Sequence, residues 1–280
     1  MTPPKDSDNK KGELLQLRVD KLFLDRVNAI AQNKHLPLSV MLRSWLAERL
    51  SEELKLMKTE RLDWQGQRFE AIDMLTKNGF EPGPMLVAHA YPLTPGVVVD
   101  VKKMERSASA LIPSPLGITG FSGRVNQFGY EMTRQHGGVI HAKGQFFKSG
   151  QIEGIFSVDF KRKEIFGRAL DHCIVTVIDS YSHLLRSQEI PLPYLFKFFL
   201  LFAKGYSMTV HETLASSSQP PAFEQDRIEL SDIVIDDFDQ LASQLSIGNH
   251  VLPNLDELWN ASGQPCSASY NDEGTWTVRR

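Results

Sequence analysis

The chain has 280 residues, 41% of them apolar and 23% charged, with a net charge of −3. That is the balance of an ordinary globular protein with room for two domains. Its two cysteines, Cys173 and Cys266, form no metal or redox spacing and read as reduced thiols of a cytosolic protein. The longest apolar run, YLFKFFLLFA at 194–203, is half the roughly 20 residues that cross a bilayer. It reads as a buried helix, and the charged start MTPPKDSDNKKGE has no apolar stretch of the secretory kind.

Charge is unevenly shared. Residues 1–61 hold 12 Lys+Arg against 9 Asp+Glu, a net +3, which leaves −6 for the rest. A basic front on an acidic body is compatible with nucleic-acid binding by the front alone.

Residues 1–12 read as a disordered arm. In ELLQLRVD, at 13–20, Leu15, Leu17 and Val19 alternate with Leu14, Gln16 and Arg18, the period-2 pattern of a half-buried strand. Residues 20–35 carry Phe23, Leu24, Val27, Ile30 and Ala31 at helical spacing. Pro37 ends that helix. Ser39 then stands as N-cap of a second helix with the stripe Met41, Leu42, Trp45, Leu46 and Leu50. A strand and two helices of this size cannot bury Leu15, Leu17, Val19 and both stripes alone. A lone strand also leaves its backbone groups unpaired. Two intertwined copies, strand against strand, meet both needs, with Val27, Leu42, Trp45 and Leu46 in the shared core.

The stretch LLQLRVDKLFLDRVNAIAQNKHLPLSVMLRSWL resembles a ribbon-helix-helix domain of the Arc/MetJ class over residues 12–55. The resemblance implies that paired strands enter the DNA major groove. Leu14, Gln16 and Arg18 would face the bases, Arg suiting guanine and Gln adenine. The amides around Ser39 and Val40 would hold a phosphate, with Lys10, Lys11 and Lys21 on the backbone. The chain departs from the pattern at Leu14, where a polar residue is usual, and at His35, which replaces a glycine between the helices. The module can also be read as a dimerisation device without a DNA target.

Residues 61–280 read as one larger α+β domain, strands before helices. SEELKLMKTERLDW prolongs the second helix, and a further helix covers 67–78. Strands are expected at MLVAHAYPL and GVVVDVKKM, and a hairpin over 138–160 turning at Lys148, Ser149 and Gly150. Helices follow at 163–188 and 195–204, then strand-like RIELSDIVI and a short helix DDFDQLASQLS. The order RVNQFGY, QFFKSGQIEGIF, long helix, IPLPYLFKFFLLFAKGYSM is similar to the companion domain of bacterial Schlafen/AlbA-like DNA- or ATP-binding proteins. Phe147, Gly150, Ile152 and Glu153 match its strand-turn-strand. That resemblance implies a partner module and no reaction.

No phosphate-loop motif occurs. His136 and His141 have no acid or cysteine beside them in sequence and read as ordinary histidines. Asp171, His172 and Cys173 are consecutive on a helix and point apart. Glu153 reads as a solvated or salt-bridged acid. The aromatics Tyr194, Phe196, Phe198, Phe199 and Phe202 read as core or subunit contact. The expectation is a cytoplasmic, homodimeric or higher even oligomeric DNA-binding regulator, a repressor in type, without enzymatic activity, cofactor or metal. Its body at 61–280 would take a ligand or protein partner. The alternative is an interaction or effector protein of an anti-phage or toxin–antitoxin system, dimerised by its front module.

Overall fold

The computed structural model describes residues 21–76, 79–112, 121–158, 160–161, 163–210 and 221–277. It is an α+β protein that divides into two compact units, Met1–Ile72 and Asp73–Arg280. The expected strand at 13–20 lies outside the described residues.

The first unit contains α1 (Lys21–Asn33) and all but the last turn of α2 (Leu38–Thr76). Val27 and Ala31 of α1 and Met41 of α2 form a small buried core, with Leu38, Leu42 and Trp45 packed against it. Sequence periodicity made those residues visible. Two details differ from expectation. Helix α2 starts at Leu38, so Ser39 lies in its first turn instead of capping it; the Pro37 carbonyl accepts from the Val40 and Met41 amides at 3.0 and 3.1 Å. And α2 runs 39 residues without a break, about 58 Å, through residue 60 and through the separate helix expected at 67–78.

The second unit runs β1 (Met85–Pro92), α3 (Val101–Ser107), β2 (Phe121–Asn126), β3 (Gly129–His136), β4 (Val139–Phe147), β5 (Ile152–Ser157), β6 (Phe160–Lys161), β7 (Glu164–Phe166) and α4 (Gly167–Ser187). It continues with β8 (Tyr194–Leu201), β9 (Ser207–Thr209), β10 (Arg227–Glu229), β11 (Ile233–Ile235) and α5 (Gln244–Ala261). An antiparallel sheet carries the order β10-β8-β1-β5-β4-β3-β2, with β11 also on β8. A small second sheet joins β6, β7 and β9.

One face of the large sheet supplies Leu86, Ala88 and Ala90 from β1, Phe196, Phe198 and Leu200 from β8, and Ile152 and Phe156 from β5. They share a core with Ile174, Val177, Ile178, Tyr181 and Leu185 of α4 and with Val251, Leu255 and Trp259 of α5. The approach of α4 explains Gly154: a Cβ there would stand 2.1 Å from the Tyr181 hydroxyl. The expected β4–β5 hairpin is present, with Phe146 opposite Ile152 and Gly150 at φ +88 in the turn.

Three expectations are corrected here. The run at 194–203 is strand β8, not a helix; it lies between β1 and the β10/β11 edge, buried on both faces, and so shows no alternation. The segment GVVVDVKKM is not a strand. Asp100 accepts the Lys102 amide at 2.9 Å and caps α3 instead. The short helix expected at 236–246 is a 3-10 turn (Phe238–Leu241) followed by α5, which Ser243 caps through the Ser246 amide. Among the described residues no helix is long and apolar enough to cross a membrane.

Candidate nucleic-acid interface and a buried polar row

The turn between α1 and α2 is built on His35. The Leu36 amide donates to Ala31 and the His35 amide to Gln32, both at 3.0 Å, while His35 adopts φ +54. This bond pair with a left-handed residue is the helix stop that glycine ordinarily supplies. The residue that departs from the family pattern thus takes the conformation a glycine would take there, at a steric cost of order 1–2 kcal/mol.

Of the residues expected to touch DNA, Lys21 opens α1 on the surface, and Ser39 and Val40 are exposed in the first turn of α2. The Val40 amide already serves the Pro37 carbonyl. Lys11, Leu14, Gln16 and Arg18 lie outside the described residues, as do Leu15, Leu17 and Val19 of the expected dimer core. Val27 is buried, and Leu42 and Trp45 are half-buried around it. Leu46 is 46% exposed and Leu50 60%. Leu24, Ile30 and Leu36 are likewise exposed. Five large apolar side chains of the helix pair are thus open to water.

The second unit holds a feature of another kind. Reading across the sheet register, Arg124 on β2 faces Glu131 on β3, which faces Gln145 on β4 and then Glu153 on β5. Glu153 faces His89 on β1, and His89 faces Lys197 on β8. Six adjacent strands each place one polar residue in a single row, on the sheet face opposite the α4 core.

The row is densely bonded. Arg124 and Lys143 reach Glu131 at 2.8 and 2.9 Å. Burial pushes the Glu131 carboxyl up, but hydrogen bonds and charge from Lys143 and Arg124 outweigh it and hold it below the usual range. Asn126 donates to Gln145 at 2.7 Å, and Gln145 donates to the Tyr130 and Phe146 carbonyls at 3.1 Å. His89 and Glu153, both fully buried, meet at 3.2 Å through Nε2, and the Tyr91 hydroxyl lies 3.2 Å from Nδ1. Lys197 pairs with Glu229 and Asp232 at 3.0 and 3.1 Å.

An acid, a histidine and a tyrosine in line resemble the orienting half of a proton relay. Here each is matched to its neighbour in the sheet, and the arrangement fixes register. Of the two readings of Glu153, solvated or salt-bridged, the structure shows the second, with His89 as its partner. His89 was missed in the sequence, where the one signal was a lone imidazole inside the apolar run MLVAHAYPL.

His141 pairs with Glu81 at 2.7 Å, an acid 60 positions away that sequence proximity could not supply. Among the described residues no group of three or more His, Cys, Asp or Glu could hold a metal. Asp171 accepts from Trp259 Nε1 and from the Ser267 and Ser269 hydroxyls, tying α4 to the segment after α5. Burial raises its carboxyl to about 6 against the pull of those three donors. A groove of about 420 Å³ beside α5 is lined by Glu224, Glu229, Glu257 and Ile228. Its acidic rim disfavours a phosphate backbone.

Comparison with known proteins finds no matching family model, no similar curated protein and no similar solved structure.

Proposed function

We propose that this chain is a homodimeric, sequence-specific DNA-binding protein, a transcriptional regulator that reads the major groove with a ribbon from residues 13–20 of two copies. The observation that carries the reading is the helix pair: a glycine-type stop at His35, a small core at Val27, Ala31 and Met41, and, on the same two helices, exposed Leu24, Ile30, Leu36, Leu46 and Leu50. A second copy of the same pair would bury those leucines, and the ribbon would provide each strand with its partner. Basic charge concentrated in residues 1–61 supplies the attraction to phosphate. The larger unit, with its acidic groove, would carry the ligand- or partner-binding role.

Selection of bound sequences from random DNA, followed by gel shifts across a salt series, tests this. The expected result is an enriched two-half-site sequence whose affinity falls steeply with salt. Arg18→Ala should erase the site preference and leave the dimer intact. No enrichment at any salt concentration would sink the proposal.

A further inference from the structure

The large sheet has two edges, and they are finished differently. At one end β10 and β11 are three residues each and interrupted by residues 230–232, which leaves little ladder to extend. At the other end β2 is six residues long, and no strand among the described residues pairs with its outer side.

The usual guards of such an edge are a lysine, a proline or an inward-pointing charge. β2, FSGRVN, has neither lysine nor proline. Its one charge, Arg124, is held by Glu131 at 2.8 Å on the opposite face from Phe121 and Val125. Those two apolar residues continue the core face outward past Met132 and Tyr130 and remain 41% and 57% exposed; Phe128 in the turn is 53% exposed.

Register decides what could pair there. The two-residue turn makes Asn126 and Gly129 the hydrogen-bonded pair that closes the β2–β3 hairpin. Alternation then turns the N–H and C=O of Phe121, Gly123 and Val125 outward. A second β2 laid antiparallel with Gly123 opposite Gly123 brings those same three residues into hydrogen-bonded pairs. It also sets Phe121 opposite the partner's Val125, twice, an aromatic–β-branched pair of the favourable kind. Arg124 falls opposite the partner's Ser122. A shift of two residues would set Arg124 against the Arg124 of the second copy in one direction, or both Phe121 side chains against Gly123 in the other.

We propose that the outer edge of β2 is an interaction surface whose occupant is the β2 strand of a second copy of this chain, joined antiparallel about Gly123. The argument uses the second unit alone and stands apart from the helix pair.

The test is a disulfide trap in the full chain carrying Cys266→Ser. A mixture of Phe121→Cys and Val125→Cys proteins under mild oxidation should give a cross-linked two-chain band that reduction removes. Each variant alone should link at least tenfold less, since like positions stand four residues apart across the axis. Light scattering on the same samples separates the two readings. A stable dimer that never links overturns edge pairing and leaves the helix pair standing. Equal linking by the single variants overturns the proposed register. Monomers that do not link overturn both.

Discussion

Lowering pH from about 6 to about 4 should add a stabilising contribution from one carboxyl, that of Asp171. Asp171 is fully buried on α4, and burial raises it from 3.8 to about 6 despite three donors. In the unfolded chain it ionises near its ordinary value. Between the two values the folded state holds a proton that the unfolded state has lost, so stability falls as pH rises. The stability is fully present below about pH 4 and gone above about pH 6. The rise from 3.8 to about 6 corresponds to about 3 kcal/mol. Asp171→Asn removes the titration. Urea denaturation at half-unit intervals from pH 4 to pH 7 reads both proteins. The wild type minus Asp171→Asn difference should slope downward with pH in that window and be flat above it. Parallel curves would refute the reasoning. Glu131, held low by Lys143 and Arg124, contributes in the opposite sense and cancels in the difference.

Replacing Leu46 and Leu50 together by Glu should dissociate the proposed dimer. Half-exposed leucines are worth about 1 kcal/mol each on burial, and four per dimer move the dissociation constant roughly a thousandfold, measurable by analytical ultracentrifugation. His35→Gly should stabilise the helix pair by about 0.5–1 kcal/mol, because glycine adopts φ +54 without steric cost; thermal denaturation reads it. Glu153→Ala should cost about 3–5 kcal/mol, as removal of one member of a buried pair does. Glu153→Gln, which keeps an acceptor for His89, should recover more than half of that in urea denaturation.

The elements that were legible in the sequence keep a chemical difference between their two faces or a turn signal at their end. Helix α1 is periodic because water lies on one side of it, whereas β4 and β5 alternate because their second face carries the buried polar side chains of Gln145 and Glu153. β8 lost that signal: with Phe196 and Phe198 on one face and Leu195 and Phe199 on the other all buried, no period remained, and a ten-residue apolar run suited either element. Its aromatic richness favoured a strand. Helix α5 was hidden for a different reason. Gly248 and Pro253 lie inside it, and both argue locally against a helix that tertiary packing imposes. The polar row could not be found at all, because His89, Glu153 and Lys197 become neighbours only after three strands far apart in the chain have been ordered. The surface leucines of α2 were visible as a stripe, and the structure adds which of them remain exposed.

The row of one polar side chain per strand also restricts how the sheet can change. Sliding β1 by a single position would swing His89 through to the α4 side and offer alanine to Glu153. The same slip would set an alanine opposite Lys197 in place of His89, so the sheet has no half-correct alignment in which to pause. Substitutions along this line must arrive in matched neighbours, and a lone change at any one strand is felt by the strands on either side of it.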